Sequence, residues 1–366
     1  MMTAQFQKLL QRAVQRDASD IHLKTGSVPW YRIDGEMSQA EGEVYTAEMM
    51  DEVLALMLNP DQVAYFKKRG EVDLSYTEKG VGRFRVNAYR QRGAVSCSMR
   101  RIKTKIGTFE ELHLPPVLEK FAQMPRGLIL LTGTTGSGKT TTLASIVEYI
   151  NERRRCHIIT IEDPIEYLHT DKKALISQRE IGLDTLDFAS ALKSVMRQDP
   201  DVILVGEMRD LETFQAAISA AETGHLVFTT LHTTNVMQTM DRIIDLFPAG
   251  QQDQIRSQLS LNLQGIMCMR LLPRADGAGR VPACEILVMN PSARVLIREN
   301  RIAQLNTVIA SGKEEGMQGF NDSLDNLIKA GLITREAGME ISDNPEDLNM
   351  LLQGIRLSSR RGGILK

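Results

Sequence analysis

The sequence predicts an α/β protein: a parallel sheet covered by helices, preceded by a smaller α+β domain and followed by a helical region. Three observations carry this. Apolar strand-like runs, "GLILLTG", "HIITIED", "DVILVGE" and "HLVFTTLH", alternate with helical stretches through the middle of the chain, the pattern of a parallel sheet buried on both faces. In "GVGRFRVNAYRQRGAVSCSMRRI" apolar residues recur at every second position, as in a half-buried hairpin. From about Asn290 the periodicity turns helical and more polar.

Taken in order, "QFQKLLQRAVQR" sets Phe6, Leu9, Leu10, Ala13 and Val14 on one face at helical spacing, which predicts an amphipathic helix packed on a sheet. "SDIHLKTG" and "VPWYRIDGEM" read as strands with a turn between, and a Met- and Leu-rich helix spans about residues 47 to 58. In the hairpin, Phe84, Val86 and Ala88 face inward and Arg83, Arg85 and Asn87 outward. The returning strand sends Val95, Cys97 and Met99 in, and Ser96, Ser98 and Arg100 out. Pro115 and Pro116 in "LHLPPVLEKF" disfavour helix and suit a linker. The expected domains are therefore 1–112, a linker at 113–118, an α/β core at 119–290, and a helical C-terminal region with a solvated tail, "SSRRGGILK", at 291–366.

A length of 366 residues suits roughly two domains, each able to bury a core. The 44 basic residues against 46 acidic ones give a net charge of -2, so no global positive field attracts nucleic acid or anionic lipid. No apolar run approaches the roughly 18 residues a bilayer requires, and no secretory leader is apparent; a cytoplasmic protein is expected. The four cysteines, Cys97, Cys156, Cys268 and Cys284, are too scattered for a disulfide framework or a zinc site.

The chemistry concentrates at "GLILLTGTTGSGKTTTLASIVEYI", a strand, a glycine-rich loop and a helix. Gly133 to Thr140 match GxxxxGK[ST] in the context that motif requires. Glycines let successive amide hydrogens point into one concavity at a helix N-terminus, where anions collect. The expected nucleotide-binding set is Gly133, Thr134, Thr135, Gly136, Ser137, Gly138, Lys139, Thr140 and Thr141. Lys139 is expected to reach the β- and γ-phosphates of a nucleotide whose base the loop does not specify, and the Thr140 hydroxyl to ligate Mg²⁺. The strand "DVILVGE" ends in Glu207, the second Mg²⁺ position. "IITIEDPIEY" brings Glu162, Asp163 and Glu166 to a strand's carboxyl end, where one carboxylate can act as general base; spacing does not say which. His225 and His232 flank "LVFTTL", with His232 at the carboxyl end, near a γ-phosphate.

These motifs, with "ASDIHL", "RFRVNAYRQRG", "QREIGLDT", "AETGHLVFTTLHTTN" and "DRIIDLFP", are spread over nearly the whole chain, which resembles the PilT and PilU retraction ATPases of type IV pili, within the secretion ATPase family. The resemblance implies a homohexameric ring of subunits, each with a PAS-like N-terminal domain and a RecA-like P-loop ATPase domain, hydrolysing ATP at the cytoplasmic face of the inner membrane. It implies an inner-membrane platform protein and a sister retraction ATPase as partners, with membrane association only through the machine and no nucleic acid. It also implies that Glu166 or Glu162 activates water, that His225 and His232 couple the site to the subunit boundary, and that Arg85 and Arg100 act as fingers on a neighbour's triphosphate, with Arg83 and Arg101 next in line. Assembly ATPases of the superfamily usually add a longer N-terminal region and a tetracysteine motif, so retraction is expected. "MRRIKTKI", "GLDTLDF", "LSLNLQGI" and "NPEDLNMLLQGI" look more like PilU, and "PSARVLIRE" stands where PilT usually has a segment like "PAIRNLIRE". The competing expectations are an independent PilT-like motor, an accessory ring that needs its sister, and a nucleic-acid translocase.

Overall fold

The computed structural model describes residues 2–33, 35–102, 105–277 and 279–355. The chain divides into two units, Met1–Lys105 with Glu166–Leu168, and Ile106–Ile165 with His169–Lys366. The basic tail lies outside the described residues.

The first unit runs α1 (Met2–Gln15), β1 (Asp20–Lys24), β2 (Trp30–Ile33), β3 (Glu36–Gln39), α2 (Ala47–Met57), α3 (Pro60–Arg69), β4 (Glu71–Glu78), β5 (Gly82–Gln91) and β6 (Ala94–Arg101). Its sheet is antiparallel in the order β3-β2-β1-β6-β5-β4. Phe6, Leu9, Leu10 and Ala13 of α1 and Met50 and Val53 of α2 share one core with Phe84, Val86, Ala88, Cys97 and Met99, so the predicted apolar faces meet. "VPWYRIDGEM" is two strands rather than one: Ile33 pairs with Glu36 around Gly35, whose φ of +87° permits the tight reversal. Ser96, expected outward, is buried at 2 % exposure between Lys24 and Tyr89 on its neighbouring strands. α3 escapes periodicity because Phe66 is its only buried residue. Its sequence signal is instead the Asn59–Gln62 capping box with Pro60 in the first turn.

The second unit contains α4 (Val117–Gln123), β7 (Gly127–Thr132), α5 (Lys139–Arg153), β8 (His157–Glu162), β9 (Leu175–Glu180), α6 (Phe188–Val195), β10 (Val202–Val205), α7 (Leu211–Glu222), β11 (Leu226–Leu231), α8 (Val236–Asp245), α9 (Gln252–Asn262), β12 (Leu263–Pro273) and β13 (Arg280–Val288). Its order is β13-β12-β7-β11-β10-β8-β9, all parallel except β13. The four expected strands form its centre, and Leu128–Leu131, Val202, Ile203 and Leu226–Phe228 are fully or nearly fully buried. β9 was not legible because, as a half-exposed edge, "LISQRE" carries no apolar run.

Residues 106–112, expected with the first domain, pack into the second unit: Phe109 is buried in its core, and Ser145 Oγ donates to Gly107 O at 2.7 Å. The expected linker enters α4, with Pro116 at its N-cap and Val117 and Leu118 buried; proline suits a helix start. Beyond β13 come α10 (Pro291–Arg298), α11 (Leu305–Ser311), α12 (Phe320–Lys329), α13 (Arg335–Ile341) and α14 (Pro345–Leu352). Phe320, Leu324, Leu327, Ile333 and Leu348 bury themselves on Leu272, Val281 and Ala283 of the β12–β13 hairpin.

Candidate active site

The phosphate loop leaves β7, a strand buried along its whole length, so its anchor is rigid. At Gly133, φ is +148° and a Cβ would lie 2.4 Å from Met269 O and 2.5 Å from Ser137 Oγ; only glycine fits. Gly138, at φ +99°, is the N-cap of α5. Lys139 is 9 % exposed, and its Nζ donates to Gly133 O at 2.6 Å and Thr134 O at 3.1 Å. Burial lowers its pKa, and the nearby Glu207 charge works against that shift. Ser137 Oγ is buried without a hydrogen-bond partner. A curled glycine loop, a helix N-terminus, an orphan hydroxyl and a buried ammonium together fit a polyphosphate.

Two strands away, β10 delivers Glu207 to the same carboxyl edge. Its carboxylate takes a two-bond contact from Arg209, Nε to Oε1 and Nη2 to Oε2, each at 2.7 Å, and lies 3.0 Å from His232 Nε2. The Arg209 hydrogen bond holds the Glu207 pKa below its ordinary value despite burial, with His232 adding to the effect. His232, predicted at this edge, is therefore joined to the strand-end carboxylate Glu207. His225 is not. It precedes β11, at the amino end of the sheet, where its carbonyl accepts from Gly127 N and its Nδ1 sits 2.9 Å from Ala220 O. Six strand residues at about 3.3 Å each separate it from the loop end. The two histidines that the sequence sets on either side of this strand thus stand at opposite ends of the sheet, and of the two it is His232 that meets the Glu207 carboxylate.

Glu162 ends β8. Its Oε1 accepts from Thr160 Oγ1 at 2.6 Å and Gln178 Nε2 at 3.0 Å, while Gln178 Oε1 accepts from His169 N at 3.0 Å. Ile165 N donates to Glu180 Oε2 at 3.2 Å. Side chains of β9 thus brace the acidic turn. Glu166 is exposed and groups with the first unit.

In the first unit, Arg85 and Arg100 are direct cross-strand partners on β5 and β6, as the period-two pattern implies. Arg100 Nε donates to Asp20 Oδ1 at 2.8 Å, and Arg101 pairs with Asp17 at 2.8 Å. Sequence reasoning missed Arg209, Gln178, Thr160 and Asp20. Each acts by contact with a residue that was found, and nothing in spacing announces such a contact.

A phosphate loop, a strand-end carboxylate and a histidine on that carboxylate, all at one edge of a parallel sheet, define a P-loop ATPase of RecA-like fold. The family model described as Type II/IV secretion system protein matches residues 1–334. The chain is 44 % identical over 340 residues to the type IV pilus retraction ATPase PilT of Pseudomonas aeruginosa, covering 93 % of this chain and 98 % of that one. It is 40 % identical over 349 residues to the type IV pilus ATPase PilU of the same organism, covering 95 % and 91 %. A crystal structure of the pilus retraction motor PilT with bound ADP matches with a TM-score of 0.87 at 45 % identity, covering 94 % of this chain and 98 % of that chain. The chain belongs to the PilT/PilU family of type IV pilus ATPases, and it is a nucleotide-binding enzyme. The expected leaning toward PilU finds no support in identity, which is 44 % to PilT and 40 % to PilU.

Proposed function

We propose that this chain is the subunit of a homohexameric, ATP-driven motor that supports type IV pilus retraction. The observation that carries the reading is the single sheet edge where buried Lys139 and the Glu207–His232 pair meet. Thr140 and Glu207 would hold Mg²⁺, which when bound neutralises phosphate charge. The loop amides and Lys139 bind and orient the triphosphate; the transition state spreads charge that these groups match. Glu162 is engaged by Thr160 and Gln178, which suits an anchoring role. Glu166, exposed to solvent, suits the base that must meet water. Arg85 and Arg100 reach a neighbouring copy's phosphates, and His232 reports the state of Glu207 to the chain leading into α8. His225, at the far end of β11, belongs to the subunit boundary in this reading rather than to the chemistry.

The expected partners are an inner-membrane platform protein and a sister retraction ATPase, met at the cytoplasmic face of the inner membrane; no nucleic acid is needed. Among the described residues no helix is long and apolar enough to cross a membrane. The test is phosphate release by the purified ring combined with pilus retraction, followed on labelled pili, in cells carrying this ATPase alone. ATP hydrolysis without any effect on retraction, alone or with the sister ATPase, would refute the motor reading.

One observation favours a second reading, an accessory ring. "PSARVLIR" forms α10, where Ser292 and Val295 are exposed and Arg294 Nη1 donates to Ser260 O and Leu261 O. Of the three departures from the usual PilT segment, Ser292 and Val295 thus lie on the surface, where a partner can reach them, while Ala293 is fully buried. Retraction without the sister ATPase would eliminate that reading.

A further inference from the structure

On the outer face of the first unit's sheet, register sets one row of side chains across neighbouring strands: Arg32 on β2, Asp20 on β1, Arg100 on β6 and Arg85 on β5. Directly opposed like charges destabilise a sheet, yet Arg85 and Arg100 stand opposite each other. Asp20 is the one carboxylate in the row, and it is 7 % exposed. It accepts from Arg100 Nε at 2.8 Å and from Ser19 Oγ at 2.8 Å, and lies 3.9 Å from Arg32 Nε. Burial would raise the Asp20 pKa, but the hydrogen bonds of Arg100 and Ser19 outweigh it and hold the group low. Three guanidiniums against one carboxylate leave the row with surplus positive charge. A polyanion matches it.

We propose that Asp20 is a positioning residue: by holding Arg100 at Nε it fixes the long side chain in one direction, so that the remaining guanidinium edge, with Arg85 beside it, is presented ready-made to the triphosphate of a neighbouring copy. The inference rests on the arginine-finger reading above. An arginine side chain has much rotamer freedom to lose, and ordering it in advance removes that cost from the reaction. Arg100 remains 73 % exposed along its side chain, so the grip leaves it accessible.

The test is a double-mutant cycle on the assembled full-length protein, reading kcat and KM for ATP together with melting temperature and ring assembly. Asp20→Asn, nearly isosteric, is expected to lower kcat roughly ten- to a hundredfold with KM within about twofold. In an Arg100→Ala background the same substitution is expected to change kcat no further, because Asp20 acts through Arg100. A wild-type kcat for Asp20→Asn, or an equal fold-loss in both backgrounds, overturns the proposal. Should Asp20→Asn fail to assemble, Ser19→Ala loosens the same carboxylate. It is expected to lower kcat by about twofold or more in the wild type and not in Arg100→Ala; no loss in the wild type overturns the proposal. Failure of the finger reading looks different, since Arg100→Ala alone would then keep wild-type turnover.

Discussion

At the scale of single residues, the active site is a set of charges whose neighbours decide their work. Lys139 is buried, carries a lowered pKa and donates to its own loop's carbonyls. In the proposed reading it exchanges those bonds for phosphate oxygens. Lys139→Ala is expected to cut phosphate release by about a hundredfold or more. A variant that keeps a tenth of wild-type turnover would show that the ammonium is not central. Glu162 and Glu166 separate by the same logic. Glu166→Gln should reduce kcat by about a hundredfold or more while ATP still binds, since only the base is lost. Glu162→Gln keeps an acceptor for Thr160 and Gln178 and should cost less than about tenfold. The reverse ranking would reassign the base. The motif spacing made Lys139, Glu207 and His232 legible, because each has a fixed place on a strand end or loop. Arg209 and Gln178 were not, because their partners are fixed by tertiary contact and not by distance along the chain.

At the scale of elements, α5 and the segment ahead of β9 are tied together by a buried histidine. His169 Nδ1 lies 3.2 Å from Glu148 Oε2 on α5, and its side chain is only 3 % exposed. Lys172 bonds both Glu148 and Glu152, and Asn151 accepts from Lys172 N and donates to Thr170 O. Burial lowers the His169 pKa below the ordinary 6.5, against the pull of Glu148. Between the folded value and 6.5 the unfolded chain therefore binds more protons. Stability is full above 6.5 and falls as the pH drops through that window. Melting temperatures should decline as the pH falls below 6.5, and His169→Gln should flatten the decline. An unchanged slope in the variant would assign the effect elsewhere, His22 being the other histidine with a lowered pKa. A second element-scale prediction concerns α4 against β12. A Cβ on Gly265 would lie 2.2 Å from Phe121 Cζ, and Phe121 is fully buried. Gly265→Ala is expected to cost about 1–3 kcal/mol in denaturant titration through overpacking. The sequence shows that a glycine stands there; it does not show that an aromatic ring fills the space above it.

At the scale of the whole molecule, the chain builds two units with separate cores, and the proposed chemistry needs a second copy to supply arginines. Turnover per chain should then fall on dilution below the concentration at which rings form, with light scattering tracking the loss of assembly. Monomers that hydrolyse ATP at the undiluted rate would end the ring model.

What the sequence by itself determined is the existence and type of the central strands, the phosphate loop, the arginine-bearing hairpin and the family. These follow from periodicity and from motifs whose backbone geometry only certain residues allow. The tertiary structure alone decided that His232 meets Glu207 across neighbouring strands, that residues 106–112 join the second core, and that Asp20 grips Arg100 from 80 positions away. The physical reason is common to all three: strand order and register determine which side chains meet, and they are settled by burial between segments distant in the chain.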